Sequence, residues 1–160
     1  MMAGGNLERM VRLAEEFFDM KNDPDQLAVD GDTMAKLKAI HHATMSEESD
    51  IDGPLAWLLV IPTTHALMDR FTSVEINERE LLALTEPGGT YDALYLCSAL
   101  VLPEQRRKGL ARRLALRAIS AIRADHPIRH LFYWGFSGAG DELAASIARE
   151  SGLPLIRRTV

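Results

Sequence analysis

The sequence predicts one α/β domain with a central sheet, flanking helices and a helix-rich N-terminal half. A chain of 160 residues is long enough for one hydrophobic core and short for two. After residue 90, three apolar runs alternate with two helical patterns, which favours parallel strands joined by right-handed crossovers. Before residue 90, helical spacing dominates and only one apolar run is convincing as a strand.

Four helices and one strand are predicted in residues 1–90. Amphipathic spacing indicates the first helix, and Asp32 or Thr33 is a suitable N-cap for the second. Asn77 and Glu80 have the spacing of a capping box at the start of the fourth. The predicted helices span 7–20, 33–45, 64–71 and 78–84, with a break at 22–25, and the strand spans 55–61. The acidic, turn-rich segment 46–54 is expected to be a surface loop.

Three strands and two helices are predicted in residues 91–160. Pro103 ends the central strand because it has no N–H to give to a ladder. His126-Pro127 stops the helix that follows. Asp141 is expected to cap the last helix, and Gly152 to end it. The strands span 91–102, 131–136 and 153–160, the last at an edge of the sheet, and the helices span 110–125 and 142–150.

Composition argues against several classes of function. The formal charge of −5 and a pI near 5.5 disfavour a general nucleic-acid binder, which would be basic. Cys97 is the only cysteine, so a reducing compartment fits and no internal disulfide is expected. The N-terminus lacks the pattern of a signal peptide, and no apolar run approaches the ~20 residues of a membrane span. We therefore expect a cytoplasmic protein without nucleic-acid or membrane partners.

The pair His41-His42 invites a metal interpretation. Neighbouring positions on a helix point about 100° apart, so their side chains do not readily share one metal ion. No further histidine or carboxylate stands at ligand spacing from them. We expect solvated or capping histidines here, and no metal site.

A basic cluster surrounds Gly109, where the central strand gives way to a helix. A helix N-terminus has unpaired N–H donors and a partial positive charge, so it binds anions such as phosphate. Cations at this end of a helix cost stability unless an anion accompanies them. The cluster consists of Arg106, Arg107, Lys108, Arg112 and Arg113. These residues predict a local polyphosphate site on an otherwise acidic protein.

The segment Val101-x-Pro103-x-x-Arg106-x-x-Gly109-x-Ala111 resembles the acetyl-coenzyme A signature of the GCN5-related N-acetyltransferase (GNAT) superfamily. The resemblance implies a GNAT-like mixed central sheet with flanking helices. In this arrangement residues 91–160 bind acyl-CoA and residues 1–90 form a substrate-side lobe. It also implies that the central strand pairs with the pantetheine arm, while the loop and helix hold the pyrophosphate. The cofactor-binding residues implied are Leu100, Val101, Leu102, Arg106, Arg107, Lys108, Gly109, Leu110, Ala111 and Arg112.

The catalytic part of the resemblance is incomplete. Members of this family often carry N-x-x-A-x-x-x-Y on the last helix, where the tyrosine protonates the leaving thiolate. Here Asp141, Ala144 and Ala148 occupy those positions, so the usual acid is missing. The substitute candidates are Tyr133, Cys97, Ser98 and the glutamates Glu75, Glu78 and Glu80. Each also has an ordinary interpretation, as a packed core residue or as part of a solvated acidic surface.

The resemblance implies an acyl-CoA-dependent N-acyltransferase that moves acetyl from acetyl-CoA to an unidentified small-molecule or peptide amine. A non-catalytic or weakly catalytic domain that binds or senses acyl-CoA is the alternative, favoured by Ala148. A nucleotide-phosphate binder unrelated to CoA is a third, although Lys108 precedes the glycine instead of following it as in a P-loop. A homodimer is compatible with any of the three.

Overall fold

The computed structural model of the chain describes residues 5–20 and 30–159. Within them, six helices lie at Gly5–Met20 (α1), Gly31–Ile40 (α2), His65–Thr72 (α3), Glu78–Leu84 (α4), Leu110–Asp125 (α5) and Gly138–Ser151 (α6). Five strands lie at Met45–Asp50 (β1), Gly53–Thr63 (β2), Ala93–Val101 (β3), His130–Trp134 (β4) and Leu155–Arg158 (β5). A short 3₁₀ helix, Pro103–Gln105, connects β3 to α5.

The strands form one mixed sheet in the order β1-β2-β3-β4-β5. β1, β2 and β3 pair antiparallel, whereas β3, β4 and β5 pair parallel. Each parallel connection contains a helix, α5 in the first and α6 in the second, because parallel neighbours need a long crossover. The predicted α/β class, mixed sheet, flanking helices and helix-rich N-terminal half are confirmed.

The predicted surface loop at 46–54 is wrong, because Met45–Asp50 forms strand β1. The strand pairs with β2 from Met45↔Leu59 to Asp50↔Gly53. It lies at the end of the sheet, where acidic side chains discourage pairing with another chain. Its polar composition, without apolar alternation, is what made the sequence resemble a loop.

The second helix is shifted and shorter than predicted. Asp30, and not Asp32, is its N-cap, since the Asp30 carboxylate accepts the Thr33 N–H at 2.9 Å. The helix ends at Ile40 instead of residue 45 because His41 has an extended backbone. The residues released from the helix lead directly into β1.

Of two other predicted N-caps, one is confirmed and one is wrong. The capping box at Asn77 and Glu80 is confirmed, with both reciprocal hydrogen bonds present. α6 is capped by Ser137, which accepts the Gly140 N–H at 3.1 Å, and not by Asp141. Asp141 therefore lies inside the first turn of α6, where its carboxylate binds other side chains.

Alternation along β4 assigns side chains to the two faces of the sheet. Phe132 stacks on Tyr95, with ring centroids 5.1 Å apart, and lies 5.8 Å from Phe71 of α3. We call this side the α3 face. Tyr133 points to the opposite side, where its hydroxyl reaches Asp141 of α6. We call that side the α6 face.

β3 and β4 part before β3 ends. Their pairing stops at Leu96↔Tyr133, whereas β3 continues to Val101 in register with β2. At the point of parting, Leu96 and Ser98 pair with consecutive residues of β2, so Cys97 is the extra residue of a β-bulge. Bulges bend a strand and increase its twist, which is consistent with β3 leaving β4 here.

Two remaining expectations concern the ends of the chain and membranes. None of the helices in residues 5–20 and 30–159 is both long and apolar enough to span a membrane. The predicted last strand is realised as Leu155–Arg158, at the end of the sheet. The predicted helix break at 22–25 lies outside the described residues, as does the final residue of the predicted last strand.

An ion pair ties α1 to the 3₁₀ helix that follows β3. Arg9 donates from Nη1 to Glu104 Oε2 at 2.7 Å and from Nη2 to Oε1 at 2.5 Å. Hydrogen bonding to Arg9 lowers the pKa of Glu104 from 4.5 to about 2. Because the folded-state pKa is depressed, this ionised carboxylate stabilises the fold above about pH 4.5 and loses its effect as the pH falls toward about 2.

We expect Glu104→Gln to be less stable than the wild type at pH 7 and to approach it on acidification. The measurement is the urea midpoint of both proteins at pH 7, 4 and 3. Glu86→Gln is the control, since the exposed Glu86 carboxylate has no side-chain partner among the described residues. A difference between wild type and Glu104→Gln that stays constant with pH would contradict the ion-pair explanation.

Candidate functional site

The loop between β3 and α5 ends in two residues with left-handed backbone and an uncapped helix. Arg107 has φ 65° and Gly109 has φ 78°. Gly109 is the N-cap of α5, and no side chain of the described residues caps the helix there. Arg113 donates its N–H to the Gly109 carbonyl at 3.0 Å, so the N–H groups of 110–112 precede the helical ladder. The first turn of α5 therefore presents free donors at the positive end of the helix dipole.

Four cationic side chains surround this turn. Nitrogens of Arg112 and Arg113 lie 3.4 and 3.5 Å from the position that a Cβ on Gly109 would take. Arg107 and Lys108 are exposed and form no hydrogen bond or ion pair through their side chains within the described parts of the chain. Arg112 also pairs with the end of α6 at 3.3 Å, which offsets part of the charge. An anion at Gly109 would meet cations on several sides.

The last residues of β3 differ in how far their backbone groups are engaged. The Leu102 N–H donates to a carbonyl of β2 at 3.0 Å, and its own carbonyl accepts an N–H of the 3₁₀ helix at 2.8 Å. The Val101 carbonyl accepts Arg106 Nε at 3.1 Å. Leu100 pairs with β2 along one edge of β3, and the described pairings give it no partner strand along the other edge. Leu100 and Val101 are thus better placed than Leu102 for the predicted backbone pairing, which stays a prediction.

A buried carboxylate lies beside the bulge on the α3 face. Glu78, the first residue of α4, is 7% exposed and accepts the Tyr95 hydroxyl at 2.6 Å. The thiol of Cys97 lies 3.6 Å from the same carboxylate oxygen. Burial raises the pKa of Tyr95 well above its ordinary value, and the nearby Glu78 charge raises it further. Tyr95 therefore keeps its proton and donates it toward Glu78.

Arg158 of β5 lies on the same face and is 4% exposed. Its Nη1 donates to the carbonyls of Phe71 at 3.2 Å and Ile76 at 2.8 Å. Its guanidinium carbon lies 4.5 Å from the ring centroid of Phe71 and 4.2 Å from that of Trp134. These contacts hold the connection between α3 and α4 against β5, so the segment that begins with Glu78 is anchored to the sheet.

A second hydrogen-bonded group lies on the α6 face where β3 and β4 part. Tyr133 donates its hydroxyl to Asp141 Oδ1 at 2.8 Å, and Arg157 Nε donates to the same oxygen at 3.0 Å. Burial raises the pKa of Tyr133, and the hydrogen bond to Asp141 adds to the rise. Hydrogen bonds from Arg157 and Tyr133 lower the pKa of Asp141. The group thus combines a protonated phenol, a carboxylate and a guanidinium.

The catalytic candidates predicted from the sequence fall in different places. Cys97 and Ser98 lie at the bulge and are half-buried. Glu75 is exposed and pairs with Arg70 at 3.1 Å. The carboxylate that Cys97 contacts is that of Glu78, not that of Glu75. Among the three candidate glutamates, Glu78 is the one that is buried, and it lies beside Cys97.

The sequence offered Glu78 only as one of three candidate glutamates and Asp141 only as a helix cap and a motif position, and it gave no role to Arg157. A signal for Glu78 was present, because it shares a helical face with the buried Leu81 and Leu82, three and four residues on. Asp141 and Arg157 carry no such local signal. They meet because α6 crosses over the sheet and returns the chain to β5 beside β4.

His41, His42 and Asp125 place three potential metal-ligand atoms within 4.8 Å of one another. The helical argument against such a cluster does not apply, because α2 ends before His41. The hydrogen bonds nevertheless occupy His41: its Nδ1 accepts the Ala43 N–H at 3.0 Å, which leaves the proton on Nε2, 2.7 Å from Asp125. We interpret this cluster as a clamp between the C-terminal ends of α2 and α5.

Comparison of the chain with protein-family models, curated proteins and solved structures finds no match. A functional proposal therefore depends on three groups of residues in the chain itself. They are the basic turn (Arg106–Arg113), the Glu78 cluster (Glu78, Tyr95 and Cys97) and the Tyr133 cluster (Tyr133, Asp141 and Arg157).

We expect Tyr95→Phe to destabilise the protein by roughly 1.5–3 kcal/mol, because the lost hydroxyl donates to a buried carboxylate. Tyr91→Phe is the matched control, since Tyr91 donates to the neutral Glu86 carbonyl at 2.6 Å. Its loss should cost about 0.5–1.5 kcal/mol. Urea unfolding at pH 7 measures both, and equal losses would show that the carboxylate adds nothing.

Proposed function

We propose that the protein is an acyl-CoA-dependent N-acyltransferase that transfers acetyl from acetyl-CoA to an amine. The observation that carries the proposal is the position of the basic turn, directly after the strand that parts from β4. An extended pantetheine arm needs an open strand edge, and its pyrophosphate needs N–H donors and cations at the end of that edge. Residues 97–112 supply both in one continuous segment.

Each part of the cofactor would have its own partners in this segment. The backbone of Leu100 and Val101 would pair with the pantetheine arm. The N–H groups of residues 110–112 and the side chains of Arg107 and Lys108 would hold the phosphates. Gly109, which has no side chain, would let phosphate approach the backbone closely.

Glu78 is the base in this proposal. Acetyl transfer requires a neutral amine, so the acceptor ammonium must first lose a proton. The Glu78 carboxylate takes that proton, and the freed nitrogen attacks the thioester carbonyl. The hydrogen bond from Tyr95 keeps the carboxylate oriented beside the bulge at Cys97. The acceptor would accordingly enter from the α3 face.

Acyl-CoA sensing without turnover is the second candidate function. Ala148 favours it, because this residue packs partly buried against the core at the position where the family it resembles has its acid. A sensing domain needs the basic turn but has no use for Glu78 as a base. The two functions therefore differ in whether acetyl-CoA binding is followed by thiol release.

We further propose that residues 91–160 bind acyl-CoA while residues 1–90 contribute the acceptor side, since α4 supplies Glu78. The expected partner is a small-molecule or peptide amine. A reducing, cytoplasmic location fits a chain whose single cysteine, Cys97, is a thiol.

The first experiment is calorimetric titration with acetyl-CoA, with ATP as the control ligand. We expect micromolar acetyl-CoA affinity and much weaker ATP binding. A panel of amines is then screened for release of CoA thiol. Thiol release supports the transferase, binding without release from any amine supports the sensing domain, and no binding overturns both.

Gly109→Glu should weaken acetyl-CoA binding by roughly 5- to 1,000-fold, because a carboxylate near 4 Å from phosphate is repelled by about 1–4 kcal/mol. Gly88→Glu is the matched control. Gly88 also has a positive φ, 84°, so the backbone strain is similar, but it lies in the exposed turn before β3. Equal affinities for the two variants would remove the cofactor from the basic turn.

Glu78→Gln should lower kcat by roughly 10²–10⁴-fold, the usual contribution of a positioned base. Its residual activity should rise with pH, since more of the acceptor is then already neutral. Acetyl-CoA affinity, measured calorimetrically, should not change. Glu86→Gln serves as the control, and a kcat for Glu78→Gln close to that of the control would exclude Glu78 as the base.

A further inference from the structure

A thiolate that leaves a thioester is better expelled when it receives a proton, and Ala148 has none to give. We propose that Tyr133 supplies this proton, and that Asp141 and Arg157 are positioning residues for its phenol. The inference rests on the proposed transferase function and adds the acid that the reaction needs.

The location of Tyr133 is the first support. It is the last residue of β4 that pairs with β3, so its side chain stands where the two strands part. Its hydroxyl is fixed by the hydrogen bond to Asp141 Oδ1 at 2.8 Å. Asp141 in turn is held by two donors of Arg157, Nε at 3.0 Å and Nη2 at 3.4 Å. The hydrogen bond thus fixes the position of the phenol oxygen beside the point where the strands part.

Gly135 provides the space for this arrangement. A Cβ on Gly135 would overlap the guanidinium of Arg157. The glycine is itself fixed, because its N–H donates to the Arg158 carbonyl at 3.1 Å and extends the pairing of β4 with β5. The Arg157 side chain can therefore cross the strand next to Tyr133 only because residue 135 has no side chain.

The charges around Tyr133 suit an acid. Burial and Asp141 raise the pKa of Tyr133, so the phenol is protonated at neutral pH and has a proton to give. Arg157 acts in the opposite direction on the same phenol, because its positive charge favours the phenolate. The guanidinium would thus stabilise the phenolate that forms when the proton leaves.

Glu78 and Tyr133 together account for every proton that the reaction transfers. When the tetrahedral intermediate collapses, the C–S bond breaks and its electron pair stays on sulfur. The Tyr133 O–H turns from Asp141 Oδ1 toward that sulfur and passes its proton to it. The acceptor ammonium loses two protons as it becomes an amide. One leaves through Glu78 to solvent, and the other restores the Tyr133 phenol. The products are the amide, the free thiol and one proton.

The test compares Tyr133→Phe with wild type on two acyl donors. With acetyl-CoA we expect kcat to fall about 100-fold, with acetyl-CoA affinity unchanged by calorimetry. With S-(4-nitrophenyl) thioacetate, whose aryl thiolate leaves without a proton, the rates of the two proteins should agree within threefold. Equal loss with both donors, loss of acetyl-CoA affinity, or an unchanged kcat would each overturn the proposal. Tyr91→Phe controls for removal of a tyrosine hydroxyl elsewhere.

A second set of variants tests the positioning residue. Gly135→Ala should displace Arg157 and lower kcat about tenfold, whereas Gly138→Ala, whose new Cβ meets no atom within 4 Å, should leave kcat unchanged. Arg157→Gln should lower kcat by the same factor. If Gly135→Ala acts through Arg157, adding it to Arg157→Gln costs nothing further. Additive losses would overturn the role of Arg157.

These outcomes separate the acid from the function on which it rests. A wild-type protein that binds acetyl-CoA but releases no thiol to any amine overturns the transferase. An active wild type with an equally active Tyr133→Phe overturns only the acid.

Discussion

The candidate site depends on one constraint: β3 pairs with β2 along its whole length but with β4 only as far as Leu96↔Tyr133. The bulge at Cys97 lets both be true, since an extra residue bends β3 and shifts its register with β2 by one residue, and the pairing with β2 continues on both sides of the bulge. Beyond the bulge, backbone groups on one edge of β3 need partners other than β4. The basic turn begins where this edge ends, so a ligand along the edge would reach it directly.

β5 links the two faces of the sheet although it has four residues. Two consecutive residues of β5, Arg157 and Arg158, point to opposite faces of the sheet, as strand alternation requires. Arg158 is buried and satisfied by two carbonyls and two aromatic rings, which fixes the α3 face. Arg157 is exposed and satisfied by Asp141, which orders the α6 face. One short strand thereby determines the geometry of the Glu78 side and the Tyr133 side together.

The elements that the sequence predicts correctly are those with local signals. Such signals act on residues within one turn, as do Pro103, Gly109 and the capping box at Asn77. The order of strand, basic loop and helix can therefore be predicted from the sequence. β1 cannot, because an acidic edge strand has no apolar alternation. The Tyr133 cluster cannot be predicted from local signals either, since its residues come from β4, α6 and β5. The significance of Gly135 appears only once Arg157 is placed beside it.

The sheet also separates the proposed acid from the proposed base. Glu78 lies on the α3 face and Tyr133 on the α6 face, with the adjoining β3 and β4 residues between them. Placed on opposite faces, each keeps its own hydrogen-bond partners, Tyr95 for the carboxylate and Asp141 for the phenol. In the proposed reaction, the gap between β3 and β4 is where an amine from the α3 face and a departing thiol on the α6 face would meet the same carbonyl carbon.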